Sequence, residues 1–347
     1  MKFFVAASEN IFIIEQTIEG WNLNKAVLPD KEIQAVAADP EKNVIYAGTF
    51  DHGLLKSTDK GGSWEQAGKE ILPNRVMSLH ISPHKDRDTG FHLVYAGTEP
   101  SGLYCSSDGG KVWKDFPALL ELPSKEDWSF PPRPETHHVK DIAVGYEDDH
   151  FILAGIELGG VMRSINGGTA FEDRKPGSQF DCHKIILHPE AHERIYETGG
   201  GGFAESRDHG KTWETQNKGL GNFSYLVHGA VDPDDPETIV VSGAEGPSKA
   251  YAPENAETVV FRRDSKFNAW ERVTDGLPAP HGSTVFHLLS NPEEPGAFYA
   301  VNNTGIYRSV TKGKSWNRLP VEWPVELKGE RIEDVFLLPV KNTDNPY

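Results

Sequence analysis

The 347 residues carry 35 Lys and Arg against 52 Asp and Glu, a formal charge of −17, with 34 Gly, 24 Pro and two Cys. That field repels phosphate backbones and anionic lipid, which excludes nucleic acid and membrane surfaces as general partners. No run approaches the roughly 20 apolar residues of a membrane helix. Glu9 interrupts the apolar start too early for a signal peptide, and with Cys105 and Cys182 as the sole thiols a cytoplasmic location is expected.

The chain reads as a series of similar units built of short strands. Each has an inner strand, a strand rich in Tyr, Ala and Gly, a third strand, a hairpin and a fourth strand. Unit one runs from 33–37 through 44–48 to Trp64, and unit two from 76–79 through 94–97 to Trp113. Unit three uses 139–144 and 151–155 and ends at Phe171; unit four uses 182–187 and 195–198 and ends at Trp213. Unit five uses 225–231 and 238–242 before Trp270, and unit six 284–289 and 298–301 before Trp316.

The two ends complement each other. Residues 332–338 read as a seventh inner strand with nothing after it, whereas 2–7, 10–15 and 21–27 read as strands with no inner strand before them. Joining them makes a seventh blade and removes open sheet edges. Seven units of about 50 residues match the ~40–50 of propeller repeats. The expectation is an all-β, seven-bladed β-propeller with four-stranded blades, one domain over 1–347. Six blades plus a loose N-terminal strand pair is the alternative.

The hairpins share a spacing. Ser57 to Trp64, Ser106 to Trp113 and Ser206 to Trp213 each read Ser-x-Asp-x-Gly-x-x-Trp. The Asp is expected to accept backbone N–H groups one or two residues on, and the Gly two places later to take the positive φ of the reversal. The Trp then begins the returning strand and covers the hairpin. Ser164 to Phe171 has Asn166 and Phe171 in these places, Ser309 to Trp316 has Thr311 for the Asp, and Asp264 before Trp270 is out of register and lacks the Gly.

At these residues the chain resembles the Asp-box, or BNR-repeat, β-propellers, a family that includes sialidases, sortilin-type receptors and several glycan hydrolases. The resemblance implies that the hairpins join third to fourth strands, away from any substrate site, so their Asp residues are not catalytic acids. It transfers no catalytic residue. The Phe/Tyr-Arg-Ile-Pro motif of sialidases does not occur, which argues against a sialidase.

Function is then expected on the opposite face, where inter-blade loops and second-to-third-strand loops surround the channel mouth. Two long loops lie there: 115–138, with Trp128, Phe130, Arg133, His137 and His138, and 243–258, with Tyr251. Aligned on the Pro that ends each inner strand, or its equivalent, the residue eight places earlier is Glu32, Arg75, His138, Asp181, Tyr225, Thr284 and Arg331. This polar ring, where core strands would begin apolar, is read as a site. Five places earlier come Ala35, Ser78, Asp141, Lys184, His228, His287 and Asp334, read as the lining of a wet channel.

His138, Asp181 and His183, with Glu157 on a nearby loop, form the candidate catalytic set, a His acting as general base beside a carboxylate that orients it. The one cofactor this set allows is a divalent metal on His138, Asp181 and His183; no regular metal motif is present and none is assigned. Cys182 is expected to pack inside the blade as a small hydrophobe. Glu32, Glu157, Asp181 and Glu333 are the carboxylates a glycosidase would draw on. Arg75, Arg133 and Arg331 would hold an anionic group, and Trp128, Phe130 and Tyr251 would stack on a sugar ring, Trp128 closing the site. His137 and Tyr225 complete the binding set, although His137 points away from His138 if both are extended. The reading is a cytoplasmic hydrolase or lyase, glycosyl hydrolase-like, for a small-molecule or glycan ligand. The alternative is a non-catalytic propeller that binds a protein or glycan; the oligomeric state is not indicated.

Overall fold

Along Lys2–Ala7 the side chains alternate between two destinations. Phe3, Val5 and Ala7 pack with Tyr299, Val301 and Ile306, whereas Phe4 and Ala6 pack with Ile33, Val36 and Ala47. A sheet buried on both faces needs apolar residues at nearly every position of its central strands, and these strands have them. The computed structural model, which describes residues 1–338, repeats this arrangement around a ring of seven antiparallel sheets. An apolar cluster fills each of the seven gaps between neighbouring sheets.

The fold is a seven-bladed β-propeller. The inner strands of blades one to seven are Ile33–Ala38, Arg75–Lys85, Val139–Val144, Cys182–Leu187, Tyr225–Asp232, His287–Ser290 and Asp334–Leu338. Six blades are four-stranded; in blade three the fourth strand shrinks to a single bridge between Arg163 and Glu172. The inner strand of blade six begins three residues later than expected, because the Thr284 amide and hydroxyl are both engaged by Asn303 Oδ1, at 3.0 and 3.2 Å. Blade seven is made from both ends of the chain, Asp334–Leu338 pairing with Lys2–Ala7 so that Lys2 opposes Leu338 and Ala6 opposes Asp334. The six-blade alternative therefore falls. The one-domain expectation over 1–347 extends into 339–347, which lie outside the described residues. No helix among the described residues is long and apolar enough to cross a membrane.

The repeated turns work differently from the expected scheme. In Asp108 the Oδ1 atom accepts the amides of Lys111 and Val112, three and four residues on, at 2.9 and 3.0 Å; Asp208 does the same for Lys211 and Thr212. The Ser supplies the nearer bond, Ser106 Oγ accepting the Gly110 amide at 3.0 Å and donating to Asp108 at 2.9 Å. The Gly does take positive φ, +80° at Gly110 and +78° at Gly210.

Five inner strands carry a β-bulge near their start, at Ile33/Ala35, Val76/Ser78, Val139/Asp141, Cys182/Lys184 and Leu226/His228. A bulge adds one residue and turns two consecutive side chains to the same side. The channel is consequently lined by two layers. One is the expected ring from Ala35 to Asp334; the other, which strict alternation hides, includes Gln34, Met77, Lys140, His183 and Val227. Several members of the first ring fasten neighbouring blades: Asp141 Oδ2 accepts the Ile185 amide at 2.7 Å, Ser78 donates to the Val139 carbonyl at 2.8 Å, and His228 Nδ1 accepts the Leu288 amide at 3.2 Å.

Candidate functional site

The mouth is organised around Glu99, the last residue of the second strand of blade two, His92–Glu99. It is 1% exposed and lies opposite Arg75 in the ladder. Arg75 Nη1 donates to its Oε1 at 2.7 Å, and Arg133 forks onto both oxygens at 2.7 and 2.5 Å. Burial pushes the Glu99 carboxyl up, but the Arg133 fork, His138 and Arg75 together hold it below the ordinary carboxylate range. Phe50 is the apolar seat of both guanidinium groups, with Arg75 4.3 Å and Arg133 4.9 Å from its ring centre. Two of the three arginines expected to hold an anion, Arg75 and Arg133, are therefore engaged by Glu99.

His138 is 2% exposed and stands between two carboxylates. Its Nε2 lies 3.0 Å from Glu157 Oε2 and its Nδ1 3.5 Å from Glu99 Oε2, while Phe130 meets the ring edge-on at 4.8 Å. Lys140, the bulged residue of blade three, reaches the same Glu157 oxygen at 3.1 Å. Burial raises the Glu157 carboxyl, yet Lys140 and His138 outweigh it and hold the group well below its ordinary value. Glu157 is thus a carboxylate kept charged in a recess.

Blade four brings Asp181 and His183 to the same place. One ligand atom from each of Glu157, Asp181 and His183 falls in a group whose members all lie within 4.8 Å of one another. His183 is 3% exposed, with Nδ1 2.7 Å from the Leu226 carbonyl and Nε2 3.5 Å from Asp181 Oδ1. Asp181 fits because the facing hairpin is glycine: a Cβ at Gly200 would stand 2.0 Å from Asp181 Oδ2. His138 is not a member of this trio; it acts on Glu157, which takes the place expected for His138 in any metal set.

Tyr225 meets His183 edge-on at 4.8 Å and shares a hydroxyl contact of 3.2 Å with Tyr251. Arg331 lies 4.1 Å over the Tyr251 ring and pairs with Glu333 at 3.0 Å. Burial raises the Glu333 carboxyl, its proximity to Arg331 and Lys140 notwithstanding. His183, Tyr251, Arg331 and Glu333 share a cavity of about 100 Å³ with the inner channel.

Other expected residues lie elsewhere. Trp128 is 5% exposed, packs with Tyr95, Phe116 and Ile156 and donates to Ser124 Oγ at 3.0 Å, so it is core beneath its loop and does not close the site. The cause is local, because the 115–138 segment folds into two 3₁₀ turns, Pro117–Glu121 and Pro123–Asp127, that carry Leu119 and Trp128 inward. His137 turns away from His138, as alternation demands, and bonds Ser101 at 2.8 Å. Glu32 bonds Gln34 at 3.0 Å and borders a separate open depression with Phe50, Asp51 and Glu333. Cys182 is buried, and burial raises its thiol far from nucleophilic range. Glu99 and Lys140 were absent from the sequence-based set. An acid directly after the buried Tyr-Ala-Gly-Thr run is a readable signal for Glu99, whereas the bulge that aims Lys140 inward leaves none.

No family model and no curated protein sequence matches the chain. Among solved structures it is similar to an ancestral GH74 enzyme, with a TM-score of 0.64 and 19% identity over 82% of this chain and 38% of that one. The GH74 enzyme of Niastella koreensis gives 0.61 and 18% over 90% of this chain and 53% of its own. YCF48 from Cyanidioschyzon merolae gives 0.56 and 14%, over 86% and 88% respectively. At these identities the likeness shows the fold alone. The chain spans about half or less of the two GH74 structures.

Proposed function

We propose that the chain is a hydrolase for a small polar or sugar-like compound, acting at the channel mouth. The observation that carries this reading is the convergence of Glu157, Asp181, His183, His138 and Lys140 from two adjacent blades on one recess, with Glu157 ionised although half-buried. A carboxylate held charged in such a place accepts a hydrogen bond from a water or a sugar hydroxyl and orients it, and His138 fixes the carboxylate in turn. Tyr225 and Tyr251 offer ring faces and hydroxyls to a polar ligand. Likeness to GH74 enzymes supports a sugar-like substrate and supplies no catalytic residue. The Ser-Asp-Gly turns support a place among Asp-box propellers, and two unpaired cysteines support a reducing, cytoplasmic setting.

The test is turnover of a panel of aryl glycosides and sugar esters by the purified chain. Activity should disappear in Glu157→Gln while the melting temperature holds. A native chain that turns over none of the panel, or a Glu157→Gln variant as active as the native, overturns the reading.

A second reading, a propeller that binds a peptide, is supported by the open depression of about 560 Å³ beside the mouth, lined by Glu9, Asp30, Glu32, Phe50, Asp51 and Glu333. One of the similar structures is YCF48 bound to D1 peptide, with a TM-score of 0.53. The acidic lining favours a basic segment. Tight, salt-sensitive binding of a Lys-rich peptide with no turnover would favour this reading over the first.

A further inference from the structure

We infer that Glu157, Asp181 and His183 form a site for a divalent transition cation of the zinc or manganese type. The inference rests on the site just assigned to hydrolysis, and names what would activate the water there.

The first argument is the tautomer of His183. A carbonyl oxygen only accepts, so the 2.7 Å contact to Leu226 places the proton on Nδ1. In the neutral ring Nε2 is then left with a bare lone pair. It is buried, has no hydrogen-bond partner among the described residues, and faces Asp181 Oδ1 at 3.5 Å. A lone pair against a carboxylate oxygen is repulsive unless a positive charge stands between them. A histidine that donates one ring N–H to a backbone carbonyl and aims the other nitrogen at acids is also the usual posture of a metal ligand.

The second argument is how the acids are held. Both His138 and Lys140 bond Glu157 through Oε2, which leaves Oε1 for a third partner. His138 Nε2 bonds Oε2 at 3.0 Å, so the Glu157 ligand has an outer support of its own. Asp181 reaches the recess only because Gly200 has no side chain there. One imidazole and two carboxylates suit zinc or manganese better than calcium, and three protein ligands leave a coordination position open to water. The competing occupant is a proton: an imidazolium at His183 would relieve the same repulsion and exclude the cation.

Calorimetric titration of chelator-stripped full chain with ZnCl₂ and MnCl₂, and the visible spectrum after adding CoCl₂, decide between them. One cation should bind per chain, with a tetrahedral-type cobalt absorption and a rise in melting temperature as free cation exceeds Kd. His183→Ala should weaken binding at least tenfold. Because His183 also fastens Leu226, Asp181→Asn is the second variant; it spares that contact and should weaken binding comparably. No stoichiometric binding by the native chain, or native-like binding by a folded Asp181→Asn variant, overturns the site. Turnover by a chain that binds no cation removes the cation and leaves the hydrolase, whereas cation binding with no turnover does the reverse.

Discussion

Asp334 accepts the Val36 amide at 2.9 Å through Oδ2, across the seam where blade seven meets blade one and 298 positions away in the sequence. Its Oδ1 accepts the Val335 amide at 2.8 Å, so both oxygens are engaged at the point where the ring closes. Asp334→Ala leaves the Val36 N–H in buried backbone without its partner. A loss of about 1–3 kcal/mol is expected by chemical denaturation. Asp334→Asn keeps an acceptor and should recover most of it. Native stability in the Ala variant would mean that strand pairing alone holds the seam.

Arg133 and Arg75 share Glu99 unequally, and the inequality is measurable. Arg133 gives two bonds and Arg75 one, onto a carboxylate that is fully buried. Removing the fork leaves a buried charge poorly compensated, although partial exposure of both arginines screens the effect. Arg133→Ala should cost about 2–3 kcal/mol and Arg75→Ala about 1 kcal/mol or less, with Arg133→Lys between them because an ammonium cannot fork. Adding Glu99→Gln to Arg133→Ala should return part of the loss in a double-mutant cycle. Equal losses from the two arginines would contradict this division.

The ring was legible because its signal is periodic and redundant. Trp64, Trp113, Trp213 and Trp316 each mark a hairpin, and the missing pieces at the two ends match, so one weak unit such as that of Asp264 does not spoil the count. The site was legible only in part. Asp181 and His138 stand at strand starts, where an inward polar residue breaks a visible pattern. His183 was named beside Asp181, but Lys140 was missed: it is aimed by a bulge, which shifts alternation by one residue without a local sequence mark. Trp128 was misplaced for a different reason: a large aromatic in a long loop looks exposed until the two 3₁₀ turns that bury it are known.

The turn of blade six offers a gain in stability. Asp108 and Asp208 each accept two amides through one carboxylate oxygen, whereas Thr311 Oγ1 accepts one amide, that of Ser315 at 2.9 Å, beside hydroxyl contacts to Ser309 and Ser315. The surrounding frame is intact: Ser309 Oγ holds the Gly313 amide at 3.0 Å and Gly313 has φ +78°. Thr311→Asp should supply the missing acceptor and stabilise the chain by about 0.5–1 kcal/mol. Thr311→Ala should lower stability by a similar amount. Calorimetry on the pair checks it, and a destabilised Asp variant would show that the frame has adapted to Thr.

Glu197 makes stability depend on pH in a direction opposite to that of most carboxylates. It lies on the second strand of blade four, Ile195–Gly199, with 0% exposure; Oε2 accepts the Gln179 amide at 2.9 Å and Oε1 has no partner among the described residues. Burial pushes its carboxyl from 4.5 up to about 8, against the pull of the Gln179 amide and the Cys182 thiol. Between those two values the folded chain holds a proton that the unfolded chain releases, so the folded state binds more protons and stability falls as pH rises. Below 4.5 both states are protonated and the contribution is fully present; it is lost as pH climbs through about 8. The change is on the order of a few kcal/mol. Glu197→Gln removes the titrating group and keeps an acceptor for Gln179, so its denaturation midpoint should match the native one near pH 5 and exceed it near pH 9. Parallel curves for the two chains across that range would show that Glu197 ionises in the folded state as readily as in the unfolded one.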